Sequence, residues 1–383
     1  MQASVPIRWI LIGRALMKIA ILGTRGIPNH YGGFEQFAEI VSQKLHERGH
    51  EVIVYNPHFH EYKGDEYNGV IIRHIYSPEK YMGAAANFIY DWLCMKDALK
   101  LKPDVILECG YHSNAPSYCL LKKGVSPVVI TNMDGLEWKR SKWNKMTRRL
   151  IRRLEVMAVK KSDVLVSDNI GIRDYYRRDF GAESEFIAYG AECVDTFNPD
   201  SIKKYNLEKN RYYLLIARLE PENNIEMILD AYAMSGQDVP FIVIGNKNTK
   251  YGMYLQNRYK NVNVVFLGSI YEKELLDSMR CLAKAYFHGH SVGGTNPSLL
   301  EAMASHAFII AHDNEFNRSV LGDNALFFSE RGQLAELMRS LDSRAEAQRS
   351  AMIEGNLKTI REHYSWNHIT DLYESLFFRV CRK

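Results

Sequence analysis

Two glycine-rich segments each follow a strand-like apolar run and precede a helix-like one. The first is residues 23–33, GTRGIPNHYGG, and the second is residues 288–296, HGHSVGGTN. This order suits anion binding, because glycines admit a phosphate close to the backbone and a helix N-terminus offers free N–H groups. The spacing is not GxGxxG, so a nicotinamide cofactor is not favoured. Plain turn glycines are the alternative at the first segment.

Polar residues near the second segment extend the prediction. Asn296 is expected to cap the next helix, with Pro297 at its first position. Glu301 suits ribose hydroxyls better than phosphate, and a first-turn helix carboxylate is the alternative. Arg218 ends another predicted strand, where a guanidinium can hold a diphosphate, although a structural salt bridge is also open. Together these residues predict one half of a nucleotide site.

The elements that must position these residues alternate between strands and helices. Alternation of this kind is typical of parallel sheets covered on both faces by helices. The predicted strands are residues 18–22, 51–55, 70–75, 105–108, 128–131, 164–167, 185–188, 212–217, 241–244, 264–267, 284–287, 308–311 and 325–328. A turn-rich segment at 190–211 separates the first seven strands from the last six. It predicts a junction between two α/β domains, with a ligand cleft between them.

Length and composition agree with two folded domains. The chain has 383 residues, of which 46% are hydrophobic and 25% charged, which excludes a disordered or collagenous protein. Its six cysteines show no CxxC spacing, so a disulfide framework and a zinc site are not suggested and a reducing cytoplasm is expected. Strand-like sequence begins at Met17, so residues 1–16 are expected to be dispensable.

Charge is concentrated in one segment. The net charge of +4 is too small to favour nucleic acid, but residues 139–161 hold ten cations and one anion, a local charge of +9. As a helix, this segment is expected to turn one apolar stripe inward, formed by Trp143, Met146, Leu150, Leu154 and Met157. The cations expected at an anionic membrane surface are Lys145, Arg148, Arg149, Arg152 and Arg153. Solvated cations on a helix packed onto the core are a compatible alternative.

The motifs, taken in order, resemble the retaining glycosyltransferases of family 4. The matching segments are 31–35 (YGGFE), 194–199 (VDTFNP), 218–222 (RLEPE) and 299–303 (LLEAM). More narrowly, segments 23–28 (GTRGIP), 132–140 (NMDGLEWKR) and 288–301 resemble bacterial rhamnosyltransferases that use dTDP-rhamnose in surface-polysaccharide assembly. The resemblance spans most of residues 17–380.

The resemblance implies the α/β GT-B fold, with two Rossmann-like domains whose parallel sheets face a cleft. Residues 17–200 would bind the acceptor, residues 201–365 would bind the nucleotide sugar, and residues 366–383 would form a helix packing back toward the first domain. The implied reaction is retaining transfer of L-rhamnose from dTDP-β-L-rhamnose to a lipid-diphosphate-linked saccharide, β-1,4 to glucose or N-acetylglucosamine. The expected location is cytoplasmic, at the inner face of the membrane. No metal, other cofactor or nucleic acid is expected.

The resemblance also suggests roles for individual residues. Asp134 and Arg218 are the expected catalytic residues, and a buried loop-capping aspartate is the alternative for Asp134. The residues expected to bind the donor are Arg25, Gly32, Gly33, Lys247, Gly293, Gly294, Thr295, Asn296 and Glu301. The residues expected on the acceptor side are Tyr111, His112, Glu137 and Trp138.

Several positions depart from the family pattern. Gly293 stands where the family commonly has a glutamate that touches the donor sugar, and Asp134 stands where many relatives have histidine. Two asparagines, Asn223 and Asn224, replace a cation that usually follows the arginine; Lys247 or Arg25 would have to substitute for it. Three alternatives therefore stay open: a glycosyltransferase with a UDP or GDP donor, a nucleotide-sugar epimerase, and a sugar-nucleotide-binding protein without catalysis.

Overall fold

The computed structural model describes residues 16–30, 32–122, 124–125, 127–133, 135–140 and 143–381. The chain divides into two compact units. Unit 1 comprises Met1–Thr131, Lys161–Asp163 and Glu374–Lys383, and unit 2 comprises Asn132–Lys160 and Val164–Tyr373. Most of the extension that is predicted to be dispensable, residues 1–15, lies outside the described residues.

Unit 1 is built on one sheet. Its strands are β1 (Lys18–Leu22), β2 (Glu51–Pro57), β3 (Glu66–Tyr67), β4 (Val70–Ile75), β5 (Val105–Cys109) and β6 (Val128–Asn132), and its helices include α1 (Gly33–Glu47), α2 (Glu79–Met82) and α3 (Ala86–Leu101). The strand order is β3-β4-β2-β1-β5-β6. Strands β4, β2, β1 and β5 pair in parallel, and β3 is antiparallel to β4.

Unit 2 begins with α4 (Lys145–Lys161) and two paired parallel strands, β7 (Val164–Ser167) and β8 (Glu185–Phe186). A second sheet follows, formed by β9 (Tyr213–Ile216), β10 (Phe241–Ile244), β11 (Val264–Gly268), β12 (Ala285–His288), β13 (Ile309–His312) and β14 (Leu326–Phe328). Its order is β11-β10-β9-β12-β13-β14, and its pairs are parallel.

Helices alternate with the strands of unit 2 along the sequence and follow the last of them. They are α5 (Ile170–Phe180), α6 (Ile225–Ser235), α7 (Lys250–Arg258), α8 (Lys273–Leu282), α9 (Pro297–Ala304), α10 (Glu315–Leu321), α11 (Arg331–Ser340), α12 (Glu346–Thr359) and α13 (Trp366–Cys381). No helix in the described ranges is long and apolar enough to cross a membrane.

The predicted parallel α/β architecture is confirmed. Each of the thirteen predicted strands is present, and most ends shift by no more than two residues. Strands β5 and β10 are buried along their whole length, as expected for a sheet covered on both faces. The short strand β3 was not predicted, because two residues carry no detectable period. The domain boundaries at 200/201 and 365/366 stay predictions.

Both sheets reverse their strand order at one strand, and ligands of such sheets bind beyond the carboxyl ends of the strands at that place. In unit 1 the reversal lies between β1 and β5, which precede the first glycine segment and Tyr111. In unit 2 it lies between β9 and β12, which precede Arg218 and the second glycine segment. Topology therefore brings predicted residues of each unit to one sheet edge.

The end of α13, from Glu374 onward, belongs to unit 1. Glu374 of α13 accepts hydrogen bonds at 3.0 Å from the Arg48 guanidinium and lies 3.0 Å from Nε2 of His50. Within α13, Ile369, Leu376 and Phe377 are buried. These contacts explain why the end of the chain clusters with unit 1.

Unit 1 also buries two carboxyl groups, those of Glu108 and Asp91. Glu108, in β5, is fully buried and accepts a 2.5 Å hydrogen bond from Nδ2 of Asn114. Burial raises the pKa of Glu108 to about 8, against the lowering effect of that hydrogen bond. Burial also raises the pKa of Asp91, in α3, to about 7. Both groups favour the protonated form in the folded state.

We expect this burial to make stability fall as pH rises. The folded pKa of Glu108 lies above its ordinary value of 4.5, so its stabilising contribution is complete below that pH and is lost as pH rises through about 8. The slope in this window is on the order of 1 kcal/mol per pH unit. Glu108→Gln should therefore lose less stability than the wild type between pH 6 and pH 9, as measured by urea unfolding.

Glu47→Gln is the matched control, because Glu47 is exposed on α1. It should follow the wild-type pH dependence. Equal slopes for Glu108→Gln and the wild type would contradict a buried, proton-binding Glu108.

Candidate functional site

Arg218 lies at the carboxyl edge of the second sheet, two residues beyond β9. Its side chain is exposed, and no ion pair joins it to another residue in the described part of the chain. The structural salt bridge considered as its alternative is therefore absent from these residues. Lys247 follows the neighbouring strand β10 at the same edge, and its Nζ donates a 3.1 Å hydrogen bond to the carbonyl of Phe266.

Asn223 and Asn224 tie this edge together. Nδ2 of Asn223 donates a 2.7 Å hydrogen bond to the carbonyl of Arg218. Nδ2 of Asn224 donates a 2.8 Å hydrogen bond to the carbonyl of Gly289, which follows β12. Gly289 has to be glycine here, because a Cβ would lie 2.1 Å from the carbonyl oxygen of Asn223. The residues in place of the family's cation thus join the loops that follow two adjacent strands.

Two histidines lie where β12 enters this loop. The rings of His288 and His290 are stacked, with centroids 4.4 Å apart. Burial lowers the pKa of His288 well below its ordinary value. Burial, followed by the charges of Arg218 and Arg140, lowers the pKa of His290 to about 3. Both rings therefore favour the neutral form at physiological pH.

The second glycine segment packs closely against the segment that follows β7. A Cβ on Gly294 would lie 1.9 Å from Oδ1 of Asp168, so only glycine fits. The Thr295 hydroxyl donates a 2.5 Å hydrogen bond to the carbonyl of Asp168 and lies 3.4 Å from Nδ2 of Asn169. Gly293 has a φ of +122° with open space on its Cβ side.

Helix α9 begins as predicted. The side chain of Asn296 accepts a 2.9 Å hydrogen bond from the backbone N–H of Ser298, and Pro297 occupies the first turn. Glu301, farther along α9, accepts a 2.5 Å hydrogen bond from the guanidinium of Arg280. Arg280 is almost fully buried and also contacts Asp277 at 3.1 Å. The proposed ribose contact of Glu301 is untested, but its carboxylate is held by an ion pair that sequence reasoning missed.

Gly135, which follows the predicted catalytic residue Asp134 in the sequence, lies beside Gly293 and Gly294. A Cβ on Gly135 would lie 2.6 Å from Cα of Gly293 and 3.1 Å from the nitrogen of Gly294. Asp134, the residue before Gly135, lies outside the described residues. The catalytic role of Asp134 therefore stays a prediction, although Gly135, the next residue, packs against the predicted donor residues Gly293 and Gly294.

Glu137 and Trp138 belong to a cluster of side chains after this loop. Glu137 is buried; it pairs with Arg140 and accepts a 3.0 Å hydrogen bond from Nε1 of Trp143. The ring of Trp138 lies under the guanidinium of Arg152, 5.0 Å from its centroid. Both predicted acceptor residues thus have structural partners within unit 2, and their contact with an acceptor stays a prediction.

In unit 1, the first glycine segment already holds an internal anion. The carboxylate of Glu35 accepts a 2.8 Å hydrogen bond from the backbone N–H of Arg25 and further backbone hydrogen bonds from Gly32 and from its own N–H. Burial raises the pKa of Glu35 despite these bonds. Gly32 caps α1 and Gly33 begins it, as a phosphate loop requires, but a bound phosphate would meet this carboxylate.

Other predicted residues of unit 1 are also engaged. The Arg25 guanidinium forms an ion pair with Glu79 of α2. Tyr111 is fully buried, and its ring lies 4.5 Å from that of His112. These residues share the edge beyond β1 and β5, and their donor and acceptor roles stay predictions.

Helix α4 corrects the predicted apolar stripe. The buried positions are Ile151, Leu154, Glu155 and Ala158, so Leu154 alone of the predicted inward residues is buried. Met146 is 80% exposed, Leu150 48% and Met157 39%. Glu155 explains the rotation, because the hydroxyl groups of Tyr175 and Tyr176 each donate to it at 3.1 Å. Burial raises the pKa of Glu155 to about 7.

The five predicted surface cations of α4 divide into two groups. Lys145, Arg149 and Arg153 are exposed. Arg148 donates a 3.1 Å hydrogen bond to the carbonyl of Arg140. Arg152 pairs with Glu155 at 2.8 Å and its guanidinium lies over three aromatic rings. The exposed cations alternate with the exposed apolar side chains of α4 on one face.

Sequence reasoning also missed Glu35, Asp168 and His290 as parts of these edges. Asp168 follows the predicted strand β7, and His290 lies inside the quoted glycine segment, so both positions carried a signal. Glu35 gave none beyond its place in a helix first turn. The contacts of all three depend on chain segments far away in sequence.

Two family models match the chain. Residues 16–192 match the domain of unknown function DUF1972, and residues 197–358 match glycosyl transferases group 1. No curated protein gave a significant match.

Solved structures of similar fold cover almost the whole chain. A sucrose-phosphate synthase from Thermosynechococcus elongatus is 14% identical, with 95% of this chain and 99% of that chain covered and a TM-score of 0.76. A glycosyltransferase from Rickettsia africae is 12% identical, with 95% and 98% covered and a TM-score of 0.71. HepE from Anabaena, in complex with UDP-glucose, is 13% identical, with 94% and 99% covered and a TM-score of 0.72.

At these identities the structures establish the fold alone, and the family model supplies the chemistry. The match of residues 197–358 to glycosyl transferases group 1 supports a glycosyltransferase activity, and the chain has the two-domain α/β fold of GT-B glycosyltransferases.

Proposed function

We propose that the chain is a retaining glycosyltransferase that moves L-rhamnose from dTDP-β-L-rhamnose to a lipid-diphosphate-linked saccharide in surface-polysaccharide assembly. The observation that carries the transfer chemistry is that Arg218 is exposed and has no ion pair with a described residue, at the strand-order reversal of unit 2, where the Gly293–Gly294 loop follows the adjacent strand. The donor base, the sugar and the β-1,4 linkage to glucose or N-acetylglucosamine rest on the sequence motifs. The nucleotide-sugar complex of HepE supports a nucleotide-sugar donor.

In this proposal the protein supplies charge and hydrogen bonds to the leaving diphosphate. The Arg218 guanidinium and the backbone N–H groups of the Gly293–Thr295 segment would stabilise the negative charge that develops as the sugar leaves. No metal is needed for that role. Asp134 would orient the acceptor hydroxyl or stabilise positive charge at the sugar carbon, and attack on the same face would keep the anomeric configuration.

The proposal is tested by offering the purified protein dTDP-rhamnose, UDP-glucose and GDP-mannose with a synthetic lipid-diphosphate monosaccharide. We expect transfer from dTDP-rhamnose alone, with the linkage determined by NMR. Transfer from a UDP or GDP sugar instead would refute the donor assignment. Turnover of the donor without acceptor would favour an epimerase.

Asp134→Asn provides the internal control for this assay. It should bind dTDP like the wild type and transfer almost no sugar. Wild-type turnover by this variant would remove Asp134 from the proposed mechanism.

Arg218→Ala should weaken dTDP binding and turnover together, by about 10- to 100-fold, because it removes charge-assisted hydrogen bonds to the diphosphate. The free energy of unfolding should stay within about 0.5 kcal/mol of the wild type, since the side chain is exposed and unpaired in the described structure. Calorimetric titration and urea unfolding measure the two effects. Arg211→Ala, at another exposed arginine of unit 2, is the control and should change neither.

We also propose that α4 binds the anionic inner surface of the cytoplasmic membrane, where a lipid-linked acceptor would reside. Its exposed face combines Met146, Leu150 and Met157 with the cations Lys145, Arg149, Arg153 and Lys160. Apolar side chains beside cations suit a bilayer with anionic headgroups, each cation contributing about 1 kcal/mol. Arg148 and Arg152 contribute less in this arrangement, because they contact the protein.

Sedimentation with vesicles tests this surface. Arg149→Gln combined with Arg153→Gln should weaken binding to phosphatidylglycerol-containing vesicles by about tenfold to thirtyfold and reduce its salt dependence, because Lys145 and Lys160 remain. Replacing Met146, Leu150 and Met157 by serine should also release the protein. The control replaces Met234 and Met253, which are equally exposed outside α4. Wild-type sedimentation that is the same without anionic lipid would refute the proposal.

A further inference from the structure

His290 is the least explained polar side chain beside Arg218. No hydrogen bond joins either ring nitrogen to another residue in the described part of the chain. Nδ1 is buried, whereas Nε2 is not among the buried unpartnered atoms. Its neighbour His288, by contrast, buries both ring nitrogens.

The backbone that carries His290 is held from three directions. Its carbonyl accepts hydrogen bonds of 2.9 Å from Asn314, the N-cap of α10, and 3.0 Å from Asn317, in the first turn of α10. The next residue, Ser291, donates from its N–H and from its hydroxyl to the carbonyl of Glu222, at 3.1 Å and 2.8 Å. The ring is stacked on His288. The imidazole is thus held by its backbone and by stacking, while its ring nitrogens have no hydrogen-bond partner among the described residues.

The protonation state of the ring follows from these surroundings. Burial and the nearby charges of Arg218 and Arg140 hold the pKa of His290 near 3, although Glu222 acts in the opposite direction. The ring therefore carries one proton. A buried N–H without an acceptor is rarer in proteins than an unused acceptor, so the proton is best assigned to Nε2. His290 then presents an N–H donor that lacks an acceptor.

The positive charge of Arg218 near His290 suits an anion. Arg218 has no ion pair with a described residue, and no atom lies within 4 Å of the Cβ position of Gly293, where the family commonly has a glutamate. A carboxylate at residue 293 would repel a phosphate near these groups, and glycine removes that repulsion. A cation, a neutral N–H donor and an unoccupied glycine position together favour an acceptor with negative charge.

We propose that His290 is a donor-binding residue that hydrogen bonds, through Nε2–H, to the diphosphate of the nucleotide sugar beside Arg218. This deepens the proposed function and rests on it. The hydrogen bond from His290 would replace the contact with the diphosphate that the family's usual cation would make. Asn223 and Asn224, which stand in place of that cation, fix the loop geometry. The contact is a neutral hydrogen bond, so it adds no charge to the site.

The test compares His290→Phe with His290→Gln by calorimetric titration of dTDP, UDP and GDP. His290→Phe keeps the ring shape and removes the donor, so the diphosphate that binds the wild type best should bind about tenfold more weakly or worse. His290→Gln retains an N–H donor and should recover most of the affinity. His288→Phe makes the same change in the buried ring and should bind like the wild type.

Thermal unfolding of each variant shows whether the fold is intact. Wild-type diphosphate affinity in a folded His290→Phe would overturn the inference, as would equal losses in His288→Phe, and so would the absence of diphosphate binding to the wild type. If UDP or GDP binds and dTDP does not, but His290→Phe still loses affinity, the donor assignment fails and the role of His290 stands. If the wild type transfers rhamnose and His290→Phe binds the diphosphate as tightly as the wild type, the proposed function stands and the role of His290 fails.

Discussion

The candidate site of unit 2 depends on the junction of two loops at the strand-order reversal. Asn223 holds the backbone after β9, and Asn224 holds the backbone after β12. Parallel strands bring their carboxyl ends to one edge, but they do not by themselves fix the loops beyond that edge. Side-chain amides can do so because each combines donors with an acceptor on a short, uncharged stem. Arg218 and His290 become neighbours through this junction.

Among the described residues, no carboxylate forms an ion pair with Arg218 at this edge. Glu301 is directed to Arg280, and Glu137 to Arg140, so neither carboxylate pairs with Arg218. In unit 1 the arrangement is different, because Glu35 supplies an internal anion to the first glycine segment. Glycine loops of similar sequence pattern therefore have different capacities for phosphate, and the difference comes from where nearby carboxylates are paired.

The fold was largely predictable from the sequence. Apolar runs of strand length predict strands directly, because the strands of a sheet covered on both faces are apolar along most of their length. Asn296 as a helix cap was equally predictable, since capping is a local interaction. The orientation of α4 was not, because its buried face includes Glu155. A helical periodicity treats glutamate as exposed, whereas two tyrosine hydroxyls from α5 make its burial favourable.

The sequence by itself determined the α/β class, the strands, the glycine loops and the cation-rich segment, since each depends on residues close together along the chain. Only the tertiary structure decided which polar groups are partnered. Arg280 reaches Glu301 across 21 residues, and Thr295 reaches Asp168 across 127. Such pairings follow from the order of strands in the sheet, which local periodicity does not encode. The position of His290, whose ring nitrogens have no hydrogen-bond partner in the described ranges, is a product of the same long-range packing.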